Sequence, residues 1–317
     1  MLKKCLRDQW SVDDLDWSLT PRRLSRDDEI SIVQYFTDMA SIERLAKALF
    51  VEQAKRAHDP LLKEILESFI EDEERHAVVA ERLAKHYDRH QYREYETNPH
   101  LLRFAPCFIA AIQQVSAEVA NAYITTGEIL LDVALLRSLS DFVDDAMCEG
   151  AMEFIDRDES RHIAVDFYML EYYCSDQYRQ HLTEAPRKTL IARGKQLKTF
   201  VSMLYHSGPF ARDVFFGPMD MCDPSGKRML QAFKRIQLVA AKPSVARRPI
   251  TRFFRVIQVL FNHPILGRLF GRLLARVIGL DPRVLPELYT RAEERRASSM
   301  SFDDFAKEIL AIKFASS

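Results

Sequence analysis

The chain has 317 residues, of which 47% are apolar and 29% are charged, and its formal net charge at pH 7 is −1. This length and composition are typical of a globular protein with a substantial core. Five scattered cysteines without a C-x-x-C pair argue against a disulfide framework and a thiolate metal site. No signal peptide and no run of about 18 apolar residues is recognisable. We therefore expect a cytoplasmic protein.

Helical periodicity predicts an all-α protein, since the chain contains only 9 glycines and no alternating strand pattern. Residues 1–25 are predicted to be irregular. Apolar spacing, with a start signal at Asp59-Pro60, then predicts four long helices at about 26–58, 60–87, 104–136 and 141–173. Four such helices are typical of an antiparallel bundle, which we assign to residues 26–180.

One pentad, Asp-Glu-x-Arg-His, occurs twice, in FIEDEERHAVV and again in FIDRDESRHIAV, both times inside a predicted helix. Residues three positions apart share a helix face, so Glu73 projects with His76 and Glu159 with His162. Average composition gives each pentad on the order of once in several hundred chains of this size. The duplication therefore indicates two matching halves of one site.

A glutamate upstream of each pentad completes the pattern. Glu43 lies 30 residues before Glu73, and Glu128 lies 31 residues before Glu159. In an antiparallel bundle this separation returns the chain to the same height on a neighbouring helix. The two halves therefore share a spacing as well as a motif, and both Glu43 and Glu128 are candidate metal ligands.

Charge balance predicts the metal content of such a site. Four buried carboxylates are costly to ionise without compensation, and two divalent cations make the set neutral. Mixed oxygen and imidazole donors suit iron or manganese. We expect two iron ions, with manganese or a mixed pair as the alternative, and six ligands: Glu43, Glu73, His76, Glu128, Glu159 and His162.

The pentads also contain candidate groups for the surroundings of the ligands. A ligating histidine commonly donates its second ring nitrogen to a carboxylate. Because each aspartate precedes its glutamate, it points toward the other half, so we pair Asp72 with His162 and Asp158 with His76. The arginines of the pentads would neutralise these buried aspartates; they are Arg75 and Arg161.

DEERH and DESRH resemble the paired (D/E)-E-x-R-H motifs of the ferritin-like, carboxylate-bridged diiron superfamily, in its oxygen-activating branch. The resemblance covers about residues 26–174 and extends to p-aminobenzoate-type N-oxygenases and soluble acyl-carrier-protein desaturases. It implies a ferritin-like four-helix bundle with the six ligands named above. Two departures stand out. Ile155 occupies the position of the third histidine of the N-oxygenases, and Ala80 that of the radical tyrosine of ribonucleotide reductase small subunits.

The resemblance implies a non-haem diiron oxygenase that uses dioxygen and an external electron donor to hydroxylate or N-oxygenate an organic substrate. An acyl-carrier-protein-linked acyl desaturase is the first alternative, and a non-catalytic, ferritin-like iron-binding protein is the second. The substrate would be a small or carrier-tethered molecule in an apolar pocket. Pocket walls are expected one or two turns from the ligands, at Phe36, Leu66, Phe69 and Met152.

Residues 181–317 are predicted to form a helical C-terminal extension with a basic segment at 246–280. Residues 1–226 hold 27 Lys and Arg against 39 Asp and Glu, whereas residues 227–317 hold 18 against 7. The basic segment alternates arginines with large apolar residues. It either packs on the acidic part of the chain or binds an acidic carrier protein or an anionic membrane surface. Nucleic acid fits less well, and a homodimer stays open.

Overall fold

The protein is described by a computed structural model that covers residues 1–114, 117–184, 189–278 and 280–314. Helices make up most of these ranges, and the described residues contain no strand. The all-α class predicted from the sequence is confirmed. Residues outside these ranges, including 115 and 116 within the third predicted helix, are not described.

Four long helices pack around the region where the candidate ligands lie: α2 (Arg26–Arg56), α3 (Pro60–Tyr87), α5 (Ala117–Leu130) and α7 (Ala146–Cys174). Helix α2 packs along α3 and α5 along α7, while α2 also contacts α5 and α3 also contacts α7. Side-chain caps fix two of the starts, because Ser25 accepts from the Asp28 amide and Asp59 from the Leu61 amide.

The third and fourth predicted helices differ from the observed ones. The third region contains α4 (Pro99–Gln114), α5, a π-helical turn (Leu131–Leu135) and α6 (Leu136–Val143). It therefore continues beyond residue 136, and α7 begins five residues later than predicted. The cause is local, since Asp144 adopts a left-handed conformation with φ 51° and Asp145 caps α7 by accepting from the Cys148 amide.

The N-terminal segment is more ordered than predicted. Helix α1 (Leu2–Arg7) packs on α3, and Val12–Asp14 forms a single 3-10 turn. The Ser11 hydroxyl accepts from the Asp13 amide at the start of this turn, and Asp14 accepts from the Ser11 amide. The segment places the buried side chain of Trp10 against the long helices.

The C-terminal half adds shorter helices around the long ones: α8 (Asp176–Glu184), α9 (Leu190–Phe210), α10 (Gly217–Cys222), α11 (Lys227–Ala241), α12 (Pro243–Ala246), α13 (Pro249–Asn262), α14 (Leu266–Ile278), α15 (Arg291–Ser299) and α16 (Phe302–Phe314). A second π-helical turn, Ala211–Phe216, follows α9. Helix α11 packs on α5 and α16 packs on α7, whereas α9 packs on α4 and α14.

Within the described ranges, one helix, Ala117–Val143, is long and apolar enough to cross a membrane. Of its most apolar window, 67% is buried inside the protein. It also contains Glu128 and Asp132, both buried against neighbouring helices. The core helix of a soluble protein passes the same test, so this helix is weak evidence for a membrane span.

Candidate metal centre

The six predicted ligands lie together and are buried. They form two groups, one of Glu43, Glu73, His76 and Glu159 and one of Glu73, Glu128, Glu159 and His162, and the ligand atoms of each group lie within 4.8 Å of one another. Glu73 and Glu159 belong to both groups, whereas each of the others belongs to one. The structure thereby distinguishes two shared carboxylates from two unshared ones, which the sequence does not do.

Each histidine ring has one nitrogen facing the glutamates and the other facing an aspartate. Nδ1 of His76 lies 3.3 Å from Glu159 Oε1, and Nδ1 of His162 lies 3.2 Å from Glu73 Oε1 and 3.1 Å from Glu159 Oε2. The Nε2 atoms face aspartates: His76 lies 3.2 Å from Asp158, and His162 lies 3.5 Å from Asp72. Nδ1 is therefore the nitrogen available to a metal ion, and the aspartates orient the rings.

Arg161 joins the two aspartates. Its fully buried guanidinium donates to Asp158 at 2.6 Å and to Asp72 at 3.1 Å. Arg75 donates to Asp72 and lies 3.7 Å from Asp158. The two cations compensate the two buried aspartates, so the outer layer of the site is neutral without help from the glutamates.

The N-terminal segment contributes two further partners that sequence reasoning missed. Trp10 Nε1 donates to Asp158 at 2.7 Å, and the Trp10 ring stacks on Phe154 with centroids 4.7 Å apart. Gln9 Nε2 donates to Asp72 at 3.3 Å while Gln9 Oε1 accepts from Arg75 at 2.9 Å. No local motif links these residues to the pentads, because the contacts span more than sixty positions in the chain.

Electrostatics within the centre follow from burial and from the mixture of acids and imidazoles. Burial raises the pKa of Glu43, Glu73 and Glu128, because loss of water disfavours the charged form. Burial acts in the opposite direction on His76 and His162, but the adjacent carboxylates outweigh it and raise the pKa of both rings well above the usual range. The carboxylates of the centre therefore favour the protonated, charged form of both imidazoles.

Glu159 and Asp72 are held in the charged form. Burial works to raise the pKa of Glu159, yet the charge of His162 and several hydrogen bonds hold it well below its usual range. For Asp72, the hydrogen bond and charge of His162 likewise outweigh burial and lower its pKa to about 2. Glu159 lies on the Nδ1 side of His162, where its charge favours binding of a cation, whereas the charge of Asp72 is compensated by Arg75 and Arg161.

The donor set fits metal binding. Among the described residues, Oε2 of Glu73 and Oε2 of Glu128 are buried without a hydrogen-bond partner. Unpaired buried polar atoms of this kind are costly, and a metal ion is one way to satisfy them. Oxygen and imidazole donors without thiolate suit iron or manganese.

A cavity of about 680 Å³ opens beside the centre and is lined almost entirely by apolar side chains. Glu43, Thr125 and Glu128 lie at its inner wall. Helices α4, α9, α11 and α13 supply the remainder, with residues such as Phe104 and Ile257. Glu43 and Glu128 are the unshared carboxylates, so the cavity reaches each half of the centre.

None of the four residues predicted as pocket walls lines this cavity, so their contact with a substrate stays a prediction. They are packed in the core on other helix faces: Phe36, Leu66, Phe69 and Met152. Phe36 stacks on Tyr87, and the Phe69 ring lies 4.1 Å from that of His162. The cavity forms instead where C-terminal helices meet α2 and α5, and the periodicity of the long helices contains no information about that contact.

Three polar residues next to the centre complete the site. Asn121, Thr125 and Asp166 are buried on α5 and α7, and Asn121 Nδ2 lies 3.3 Å from the Asp166 carbonyl. Burial raises the pKa of Asp166 well above its usual value, which favours its protonated form. Asp166 follows His162 by four residues, so one helical turn separates them. None of the three belongs to the paired pentads, so the repeated motif does not point to them.

Comparison of the chain with protein-family models, curated proteins and solved structures finds no match. Fold and site therefore define the class by themselves: an all-α protein whose buried carboxylate and histidine groups could hold metal ions. The ferritin-like topology and the diiron family stay predictions from the paired motifs.

Proposed function

We propose that the protein is a non-haem diiron oxidoreductase that uses dioxygen to oxidise an apolar organic substrate. The observation that carries the proposal is the sharing of Glu73 and Glu159 between two four-residue ligand groups. One ion would have Glu43 and His76 as its own ligands, and the other Glu128 and His162. Two ferrous ions bound in this way supply dioxygen activation, with electrons from an external donor.

The protein's own side chains would orient the centre and control its surroundings. Asp158 and Asp72 fix the ring orientation of the histidines through their Nε2 atoms. Asp166 holds a proton one turn from His162 and can supply it to the centre. The apolar cavity excludes water and places a substrate against the inner wall at Glu43, Thr125 and Glu128.

Hydroxylation or N-oxygenation is the reaction that the paired motifs favour. The cavity supports a second candidate, acyl desaturation, because an apolar space that extends from α2 to α13 can take a long hydrocarbon chain. Fold alone does not choose between these reactions.

The proposal is tested by loading the metal-free protein with ferrous iron under anaerobic conditions and measuring iron after gel filtration. Two irons per chain are expected, followed by dioxygen consumption in proportion to product when an amine or an acyl thioester is supplied with a reductant. Accumulation of many irons per chain without substrate oxidation would instead support the iron-storage alternative. Failure to retain a pair of ions would exclude both.

A further inference from the structure

The segment between Lys242 and Asp281 contains seven arginines and no Asp, Glu or Lys. It includes α13 and α14. The sequence alone does not decide whether this segment packs on the acidic part of the chain or binds an external partner. The structure shows Arg247, Arg252 and Arg268 exposed, and within the described part of the chain none of them forms an ion pair. Their charge is therefore available to an external partner.

Exposed apolar side chains concentrate on the same part of the molecule. Of the 23 large apolar residues that are exposed in the described chain, 15 lie on α9, α13, α14 or the turn between the last two. They are Leu190, Ile191, Leu197, Val201, Tyr205, Phe253, Phe254, Val256, Val259, Leu260, Ile265, Leu266, Leu269, Phe270 and Leu273. Large patches of this kind mark interaction sites.

These helices form one surface, which we call the basic apolar surface and define as the exposed faces of α9, α13 and α14. Helix α14 packs on both α13 and α9, and the rings of Phe200 and Phe253 lie 6.2 Å apart. The turn between α13 and α14 is tight, since a Cβ on Gly267 would clash with the Phe261 carbonyl oxygen. Glycine there allows the two helices to fold back on each other.

The cavity beside the metal centre opens on this surface. Four residues both line the cavity and are exposed, Val201 and Tyr205 on α9 and Phe253 and Phe254 on α13. Arg255 also lines the cavity beside them. Glu43 and Glu128 line the same cavity, so it connects these exposed residues with the candidate ligands.

We propose that the basic apolar surface binds an anionic lipid bilayer, with the mouth of the cavity facing the lipid. Amphipathic helices with arginines beside large apolar residues lie in the plane of such an interface, where the charges meet lipid phosphates and the apolar side chains enter the acyl region. Binding in this orientation would let a lipid-soluble substrate enter directly from the bilayer.

The charge and the apolar side chains of the basic apolar surface argue against two other binding partners, a second copy of the chain and an acidic carrier protein. A second copy of the chain in a two-fold contact would place the arginines of one surface against those of the other. An acidic carrier protein would match the arginines, but protein interfaces of that kind are about as polar as ordinary surface and would leave many of the apolar residues in water. An anionic bilayer satisfies both features.

Bilayer binding does not depend on the metal, whereas delivery of a lipid-soluble substrate rests on the proposed function. The test is flotation of the full-length protein with vesicles of phosphatidylcholine alone or of equal parts phosphatidylcholine and phosphatidylglycerol. We expect binding to the anionic vesicles that weakens as salt is added. The double variant Arg252→Glu/Arg268→Glu should reduce the partition coefficient about tenfold or more. Leu269→Glu should also reduce it, because a charge replaces an exposed apolar contact.

Two controls match these changes. Arg291→Glu/Arg295→Glu makes the same change in net charge at exposed positions of α15, and Leu61→Glu makes the same substitution at an exposed leucine of α3. Both should bind vesicles like the unmodified protein. Equal loss in controls and test variants would overturn the proposal, as would absence of binding to the anionic vesicles. Capture of acyl carrier protein, or a dimer that Leu269→Glu dissociates, would then identify the partner of this surface. Iron content measured on each variant separates failure of this surface from failure of the metal centre.

Discussion

At the scale of single residues, substitution of a shared glutamate is predicted to change the metal content more than substitution of an unshared one. Glu73→Gln keeps the side chain's shape but removes a charge that both ligand groups use. We expect this variant to lose both ions, whereas Glu43→Gln should lose mainly one. Metal analysis after anaerobic ferrous loading and gel filtration measures the difference.

Glu71→Gln is the matched control for this pair, because Glu71 is exposed two residues before Glu73 and belongs to neither group. It should retain the metal content of the unmodified protein. The same loss from Glu43→Gln as from Glu73→Gln would contradict the assignment of Glu73 as the shared ligand.

The pKa shifts of the centre predict how metal affinity depends on pH. In the metal-free protein the pKa is raised for Glu43 and Glu128 by burial, and for His76 and His162 by adjacent carboxylates against burial. A metal ion needs these groups deprotonated. Because their pKa values are raised, protons compete with the metal up to a higher pH than at ordinary carboxylates and imidazoles. Affinity should therefore rise with pH, and binding should release protons.

Titration calorimetry with Mn²⁺ measures this effect without oxidation. Repeating the titration in buffers of different ionisation enthalpy gives the number of protons released. Binding that is independent of pH, or that takes up protons, would show that the carboxylates and histidines are not protonated as described. Glu71→Gln should follow the unmodified protein at each pH.

At the scale of elements, the N-terminal segment is predicted to stabilise the centre through Trp10. Trp10→Phe retains an aromatic ring but removes the donor to the buried Asp158. Hydrogen bonds to charged groups contribute about 1.5–3 kcal/mol, and Asp158 also orients His76. We expect a lower free energy of unfolding by about that amount and weaker metal binding, measured by urea denaturation and metal titration.

Trp17→Phe is the control, because Trp17 also donates through its indole nitrogen, at 2.7 Å, but to the Val12 carbonyl rather than to the centre. It should lower stability by about 0.5–1.5 kcal/mol, as for a neutral hydrogen bond, and leave metal affinity unchanged. Weaker metal binding in both variants would indicate a general loss of stability instead of a contact specific to the site.

Elements with local start signals could be predicted from the sequence. Helix α3 has the predicted bounds because Pro60 suits the first helical turn and Asp59 caps it. The π-helical turn after Glu128 and the left-handed residue Asp144 could not be predicted, since both depend on packing against neighbouring helices. The short helix α1 has too few residues for a periodic signal.

In the candidate site, too, the features that depend on local spacing could be predicted and those that depend on packing between distant helices could not. Glu73, His76 and their counterparts converge because spacing within a helix determines which side chains share a face. The cavity could not be predicted, because its walls come from helices far apart in the chain and the sequence does not specify how they meet. Trp10, Gln9 and Asp166 were missed for the same reason. The metal-binding role of the six residues stays a prediction.

At the scale of the whole molecule, residues from the N-terminal and C-terminal halves of the chain line the cavity beside the metal centre. The acidic part, residues 1–226, supplies the glutamates at the inner wall of the cavity and α9 at its mouth, and the basic part supplies α13. Substrate selection should therefore depend on the cavity and metal content should not.

A substitution that fills the cavity tests whether substrate selection depends on it while metal content does not. Ala122→Phe places a ring into the cavity from α5, where Ala122 lines the wall. Overpacking usually costs about 1–3 kcal/mol, but here open space receives the ring, so stability and iron content should change little. Oxidation of long apolar substrates should fall at least tenfold while small substrates keep most of their rate, measured as product formed per dioxygen consumed.

The matched control is Ala110→Phe, which adds the same ring to a separate cavity of about 530 Å³ beside α4. Among the described residues, that cavity contains none of the candidate ligands. Ala110→Phe should therefore leave both substrate classes unaffected. If Ala122→Phe left the rate for long substrates unchanged with full iron content, substrate would have to reach the centre by another route. The apolar path from α13 to Glu43 and Glu128 would then have no role in selecting it.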